Sequence, residues 1–173
     1  KIFDLVWEYA QEGTGEGCGL WNSREIAGYG IGSIFLTRAA IAISEQIGIK
    51  SLFALCAPYT INLTKSVGYR QETSIGNNGT FYYPKLDLLA TTMVLEDITT
   101  LGLASDEDKN AILDLRNNLN CARIEVLRSK EIEIQYQLEL DFKGQWNLNE
   151  IIANLPKRTK LDKVLDDSDI QIM

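Results

Sequence analysis

Histidine is absent from this chain. That absence excludes Ser–His and Cys–His nucleophilic mechanisms, which need imidazole as base, and most zinc sites, which need it as ligand. Cysteine is scarce: Cys18, Cys56 and Cys121 are three in number and far apart. An odd, dispersed set excludes a disulfide framework and predicts a reducing, cytoplasmic setting. Cys56 falls in an apolar stretch and reads as a small core residue, not as a nucleophile, since nothing like histidine is there to activate it. Basic residues are outnumbered, 17 against 24 acidic, for a net charge of −7. This balance argues against a nucleic-acid or anionic-membrane surface. No apolar stretch reaches membrane-spanning length, and no signal peptide is visible. The one locally basic run, Lys157-Arg158-Thr159-Lys160, is followed by Asp162, Asp166, Asp167 and Asp169, so residues 156–173 read as a flexible, solvated tail. The chain opens on Lys1 and not on Met, and this reading allows a portion ahead of it.

What is present fits one globular domain over residues 1–155. Of the 173 residues, 45% are hydrophobic, enough to bury a core of ordinary size. The apolar run from Ile2 to Tyr9 predicts a strand, the four glycines between Gln11 and Gly19 a loop, and Leu20 to Ala27 a second strand. Ser33 to Ile47 carries apolar residues around most of a helical circumference and predicts a largely buried helix, with Gly48 as its C′ residue. Ser51 to Ala57 is a continuous apolar run, as in a strand covered on both faces. Strand, glycine turn, helix and strand in that order make a βαβ unit with parallel neighbouring strands.

Further on, a short helix is expected from Thr60 to Val67, a strand from Tyr69 to Ile75, a turn at Gly76-Asn77-Asn78-Gly79 and an extended piece at Thr80–Tyr83. Ala90 to Thr99 is rich in β-branched residues and predicts a strand. Ser105-Asp106-Glu107-Asp108 resembles a capping box opening a helix to about Asn118. Residues 132–142 alternate strictly between apolar and polar, so a half-buried strand is expected, paired with 123–128 across a turn at Ser129-Lys130. The fold class is therefore α+β with a mixed sheet.

One motif carries chemistry. Ala27-Gly28-Tyr29-Gly30-Ile31-Gly32-Ser33 places glycines at alternate positions immediately before the long helix. Without Cβ atoms the backbone turns sharply and comes close to a ligand. The helix start then aims free amide N–H groups at that turn, a site suited to phosphate or pyrophosphate. The same turn also serves for packing alone.

Taken with Leu52-Phe53-Ala54-Leu55, Asn62 and Gly68-Tyr69, this loop and helix resemble the GNAT superfamily of N-acetyltransferases over residues 20–75. That family has a phosphate loop of the form Arg/Gln-x-x-Gly-x-Gly/Ala before a helix. Its next strand leads to an Asn and a short helix closed by Gly-Phe or Gly-Tyr. The sequence departs from the pattern at Ala27, where the family has Arg or Gln, and at Thr64, where many members have a proton-donating Tyr. It is also short ahead of the loop. Trp21-Asn22-Ser23-Arg24 is similar to a stretch of acyl-homoserine-lactone synthases, with Asn22 in place of a Glu. Gly79-Thr80-Phe81-Tyr82-Tyr83-Pro84 is similar to N-acyl amino acid synthases.

The resemblance implies an N-acyltransferase with a GNAT-like twisted mixed sheet. Its donor would be the acyl thioester of coenzyme A or of the phosphopantetheine on an acyl carrier protein. The loop Ala27–Ser33 would hold the phosphates and Asn62 the pantetheine arm, between the strand ending near Ala27 and the strand from Ser51. A small-molecule amine would attack the thioester directly, so binding supplies proximity and orientation. Glu8 and Glu25 are the candidate bases, against solvated strand-end carboxylates. Tyr59 or Tyr69 is the candidate acid, against a tyrosine hydrogen-bonded in the core. For Asn62 the other reading is a helix cap. No metal is implied. An acyl carrier protein is a possible partner, and a homodimer is allowed. A non-catalytic acyl-thioester or lipid-binding module of the same fold is the alternative.

Overall fold

The computed structural model describes residues 1–20, 23–25, 32–83, 87–127, 129–141 and 144–155. Helices flank a mixed sheet in an α+β arrangement. The sheet runs in the order β1 (Thr14–Glu16), β2 (Ser51–Cys56), β5 (Leu89–Leu95) and β3 (Arg70–Gln71), with β4 (Thr80–Tyr82) also pairing with β5. Only β1 and β2 are parallel; the other pairings are antiparallel.

The expected βαβ unit is present, with its first strand in a different place. Helix α2 (Gly32–Ser44), continued by a 3-10 turn at Glu45–Ile47, connects β1 to β2. Strand β1 lies inside the stretch read as a loop. Its glycine packs closely: a Cβ at Gly15 would sit 2.9 Å from Ile49 Cδ1, which would have to move aside. Among the described residues from 20 to 25 there is no strand, and Arg24 and Glu25 form a turn. The strand expected at Ile2–Tyr9 is instead helix α1 (Ile2–Ala10). Leu5, Val6, Tyr9 and Ala10 recur at helical spacing and turn inward together, whereas Phe3 and Trp7 stay exposed; a short apolar run satisfies either period, and here the helical one governs.

Strand β2 alternates between two partners. Leu52, Ala54 and Cys56 join Ala39, Ile41 and Ala42 of α2 in the core, and Phe53, pointing the other way, meets Tyr9 of α1 edge to face at 5.2 Å between ring centroids. Beyond β2 come a 3-10 turn (Pro58–Thr60) and helix α3 (Ile61–Ser66). The strand expected at Tyr69–Ile75 is only two residues long, because the Glu72 N–H pairs with Thr92 and the chain then turns away. The turn at Gly76–Gly79 is as expected, and β5 ends at Leu95, short of Thr99, where the Asp97 carboxylate accepts from the Thr99 N–H and the Thr100 hydroxyl.

Helix α4 (Asp106–Asn117) begins at the expected cap: Ser105 Oγ accepts from the Asp108 N–H at 3.2 Å and donates to Asp108 Oδ2 at 2.7 Å. It packs on α2 through a buried ion pair, Arg38 to Asp108 at 2.7 Å. The hairpin β6 (Asn120–Leu127) and β7 (Lys130–Gln137) pairs in full across a turn with Ser129 at φ 66°. Its inner face brings Glu125 to Arg38 and to the Tyr136 hydroxyl, which donates to Glu125 at 3.0 Å. Helix α5 (Leu148–Asn154) is the last described element. Just before it the Trp146 indole N–H donates to the Ala10 carbonyl at 2.6 Å, tying the chain's late part to its beginning. The tail expected from residue 156 lies outside the described residues. Among those described, no helix is long and apolar enough to cross a membrane.

Gly48 ends the α2 region at φ +73°, and a Cβ there would also sit 2.9 Å from the Trp146 backbone nitrogen. Gly48→Ala is expected to cost about 1–2 kcal/mol from the left-handed backbone alone. Urea denaturation of the two proteins reads the difference; equal midpoints would mean that the turn relaxes freely.

Candidate functional site

A cleft of about 490 Å³ opens where β1 and β2 part. The two strands stay in register from Thr14–Ser51 to Glu16–Phe53, and the last bond between them is Gly17 N–H to the Phe53 carbonyl at 2.7 Å. Past that point Gly17, Cys18, Gly19 and Leu20 form one wall and Ala54 to Ala57 the other, with α2 above. Thr37, Ala40, Ile41 and Ser44 of α2 face the cleft. Their i, i+3, i+4, i+7 spacing is one helix face. Two glycines keep the space open. Gly15 and Gly17 point to the same side of β1, and a Cβ on Gly17 would lie 3.3 Å from the Tyr69 hydroxyl.

The parting frees backbone groups. Phe53 turns its carbonyl to β1; strand alternation gives Ala54 to β5 and Leu55 to the open side. Leu55 stands opposite Thr92, whose own N–H and carbonyl pair with Gly79 and Glu72. Among the described residues the Leu55 N–H and carbonyl therefore have no backbone partner and form a short edge along the cleft, able to take an extended chain carrying amides as a further strand would be taken.

The lining is otherwise apolar, and its Ser and Thr hydroxyls are already engaged. Thr37 donates to the Ser33 carbonyl at 2.7 Å, Ser44 to Ala40 at 2.8 Å, Thr60 to Ala57 at 2.9 Å and Thr64 to Ile61 at 3.0 Å. The buried Cys56 thiol is 3.7 Å from Thr64 Oγ1. Tyr69 differs: it is 5% exposed, and its hydroxyl has no hydrogen-bond partner among the described residues. Burial, and then the neighbouring Cys56, push its pKa well above the ordinary tyrosine value.

The residues singled out from sequence are only partly gathered here. Tyr59 sits on the rim, 85% exposed, which excludes the core role that was its other reading. Ser33, in the first turn of α2, is exposed, and Gly32 is the first residue of that helix. Ala27, Gly28, Tyr29, Gly30 and Ile31 lie outside the described residues. Asn62 is exposed on α3 and does not line the cleft; nor does it cap the helix, whose N-cap is Thr60. Glu25 is exposed and absent from the lining. Glu8 belongs to another hollow on the α1 side, with Glu12, Lys50, Arg70 and Glu96. It is there because α1 is a helix: no strand carries it toward β2.

That second hollow is an ion-pair network. Arg70 pairs with Glu72 at 3.0 Å and with Glu96, which also accepts from the Tyr9 hydroxyl at 2.8 Å. Hydrogen bonds from Arg70 and Tyr9 hold the Glu96 carboxyl below its ordinary range. Glu16, exposed at the end of β1, borders the cleft, but its side chain alternates with Gly15 and Gly17 and shares the face of its partner Phe53, toward α1. Sequence reading missed it because β1 itself was hidden among glycines; the period-two placement of Gly15 and Gly17 was the available signal. No family model, no curated protein and no solved structure matches the chain.

Proposed function

We propose that the chain binds an acyl thioester in this cleft and transfers the acyl group to an amine, as an N-acyltransferase of GNAT-like architecture. The observation that carries the reading is the parting of two parallel strands under a helix, with an apolar cleft and a backbone edge between them. The arm of the donor, coenzyme A or carrier-borne phosphopantetheine, fits the edge at Leu55, where its amides find backbone partners. The acyl chain fits beneath α2, against Ala40, Ile41 and Leu52. In this reading the donor's phosphate end is directed to the start of α2, at Gly32 and Ser33, where helix amides suit an anion.

In the reaction the amine lone pair attacks the thioester carbonyl carbon, the C–S bond breaks, and the thiol leaves with the sulfur electron pair. Nitrogen loses one proton and sulfur gains one, so no co-reactant is needed. The nitrogen's proton passes to water in the cleft. Confinement of donor and amine in one geometry supplies most of the acceleration.

Calorimetric titration with acetyl-coenzyme A and octanoyl-coenzyme A tests the reading. Saturable binding is expected, tighter for octanoyl because more apolar surface leaves water. An absence of binding at millimolar donor would refute it. One observation favours a non-catalytic acyl-binding module: Glu8 and Glu25 stand away from the cleft and Thr64 occupies the place of the family's tyrosine. Binding without acylation of any amine, followed by mass spectrometry, distinguishes that module from an enzyme.

A further inference from the structure

We propose that the Tyr69 hydroxyl donates a hydrogen bond to the donor's carbonyl oxygen and holds the negative charge that develops there; this rests on the acyl-thioester reading above. Three observations converge on it. Tyr69 is buried to 5% exposure yet has no partner for its hydroxyl among the described residues, whereas the Ser and Thr hydroxyls of the same lining all donate to protein carbonyls. The ring is buried but its oxygen is not among the fully buried unpaired atoms and borders the cleft, where water or a ligand supplies the bond. Its place is the parting of the strands, since a Cβ on Gly17 would approach that oxygen to 3.3 Å. Finally, the backbone donor nearest the parting is spent: the Gly17 N–H is already bonded to the Phe53 carbonyl at 2.7 Å.

The role assigned is that of a neutral donor. When the amine attacks, the carbonyl π pair moves onto oxygen, and the O–H of Tyr69 stabilises that oxyanion without giving up its proton. Collapse re-forms C=O and expels the thiolate, which takes its proton from water; the proton lost by nitrogen goes to solvent. Burial and Cys56 raise the Tyr69 pKa well above the ordinary value, which keeps the phenol in its donating form and makes full proton transfer to a thiolate uphill. Thr64, whose hydroxyl is tied to the Ile61 carbonyl, leaves this donation to Tyr69.

The test uses the full chain and octanoyl-coenzyme A labelled with carbon-13 at the thioester carbonyl. Infrared difference spectra of the wild-type complex are expected to show the carbonyl band at lower wavenumber than in free donor. In Tyr69→Phe the band returns toward the free position. Transfer to a mixture of the common amino acids falls about 100-fold, the usual loss for one oxyanion donor. The thermal midpoint of the ligand-free variant stays equal or rises, because no protein partner is orphaned. Gly17→Ala, which crowds the hydroxyl without deleting it, is expected to weaken the band shift in the same direction. A band shifted equally in wild type and Tyr69→Phe, or shifted in neither while donor still binds, overturns the role of Tyr69 and leaves the acyl-binding reading standing. A wild-type protein that binds no donor overturns both.

Discussion

Arg38→Ala is expected to lower the unfolding free energy by about 3–5 kcal/mol, the range found when one member of a buried ion pair is removed. Arg38 and Asp108 are each 7% exposed at the side chain and 2.7 Å apart. Removing the guanidinium leaves Asp108 charged and buried, held by serine hydroxyls, chiefly that of Ser105. It also strips Glu125 of its cation. Glu107, the third carboxylate on Arg38, is 85% exposed and contributes little, since water screens it. For a chain of this size the loss corresponds to a fall of roughly 6–20 °C in thermal midpoint. Replacing both partners, Arg38→Met with Asp108→Leu, is expected to recover most of it, because the cost lies in the orphaned charge. Calorimetry of the two variants decides the matter: equal destabilisation by the single and double replacements would mean that packing, and not charge pairing, holds α2 to α4.

The same pair sets an acid limb. Burial alone would raise the Asp108 carboxyl, but hydrogen bonds from Ser105 and Arg38 outweigh it and hold the group below its ordinary value of 3.8. A lowered pKa in the folded state means that the unfolded chain binds the proton more readily. The stabilisation is thus complete above the carboxylate range and is lost as pH falls through the depressed value. Glu96 and Glu72, lowered by their own hydrogen bonds with Arg70 and Ser74, add to the limb with the same sign. In Arg38→Ala the Asp108 share is expected to shrink, so denaturant midpoints measured down the acid range should fall less steeply than in wild type.

Ala40→Trp is expected to weaken octanoyl-coenzyme A binding at least 100-fold with little change in stability. Ala40 lies on the face of α2 toward the cleft and is exposed there, so an indole enters space that no described protein atom holds. Substitution at such an open helical position costs about 0.5 kcal/mol or less. Leu36→Trp, exposed on α2 but outside the cleft lining, serves as the control and should bind donor as wild type does. If Ala40→Trp keeps full affinity, the donor does not enter beneath α2.

Local signals carried much of the architecture. Helix α2 and its Gly48 stop, strand β2, the Ser105 cap and the β6–β7 hairpin all follow from patterns contained within a dozen or so residues. Misreadings arose where a short segment satisfied two periods, as at Ile2–Tyr9, or where glycine suppressed a strand signal, as at Thr14–Glu16. The cleft was legible as a location but not in its members. Gly17 comes up to Tyr69 only because β1 pairs with a strand thirty-odd positions later in the chain, a separation seen in the register Glu16–Phe53. Glu8 and Glu25 are near the cleft walls along the chain, and helix α1 and the turn at Arg24–Glu25 remove that nearness in space.

The bond from the Trp146 indole to the Ala10 carbonyl spans 136 positions. Closing a ring of that size is an entropic toll with no local reward on the way. The clasp therefore waits until α1 and the β1–β2 pair give it a surface to land on. That order makes the Trp146 indole a native chromophore for the final stage of assembly, its emission changing only when the two distant parts of the chain lock together.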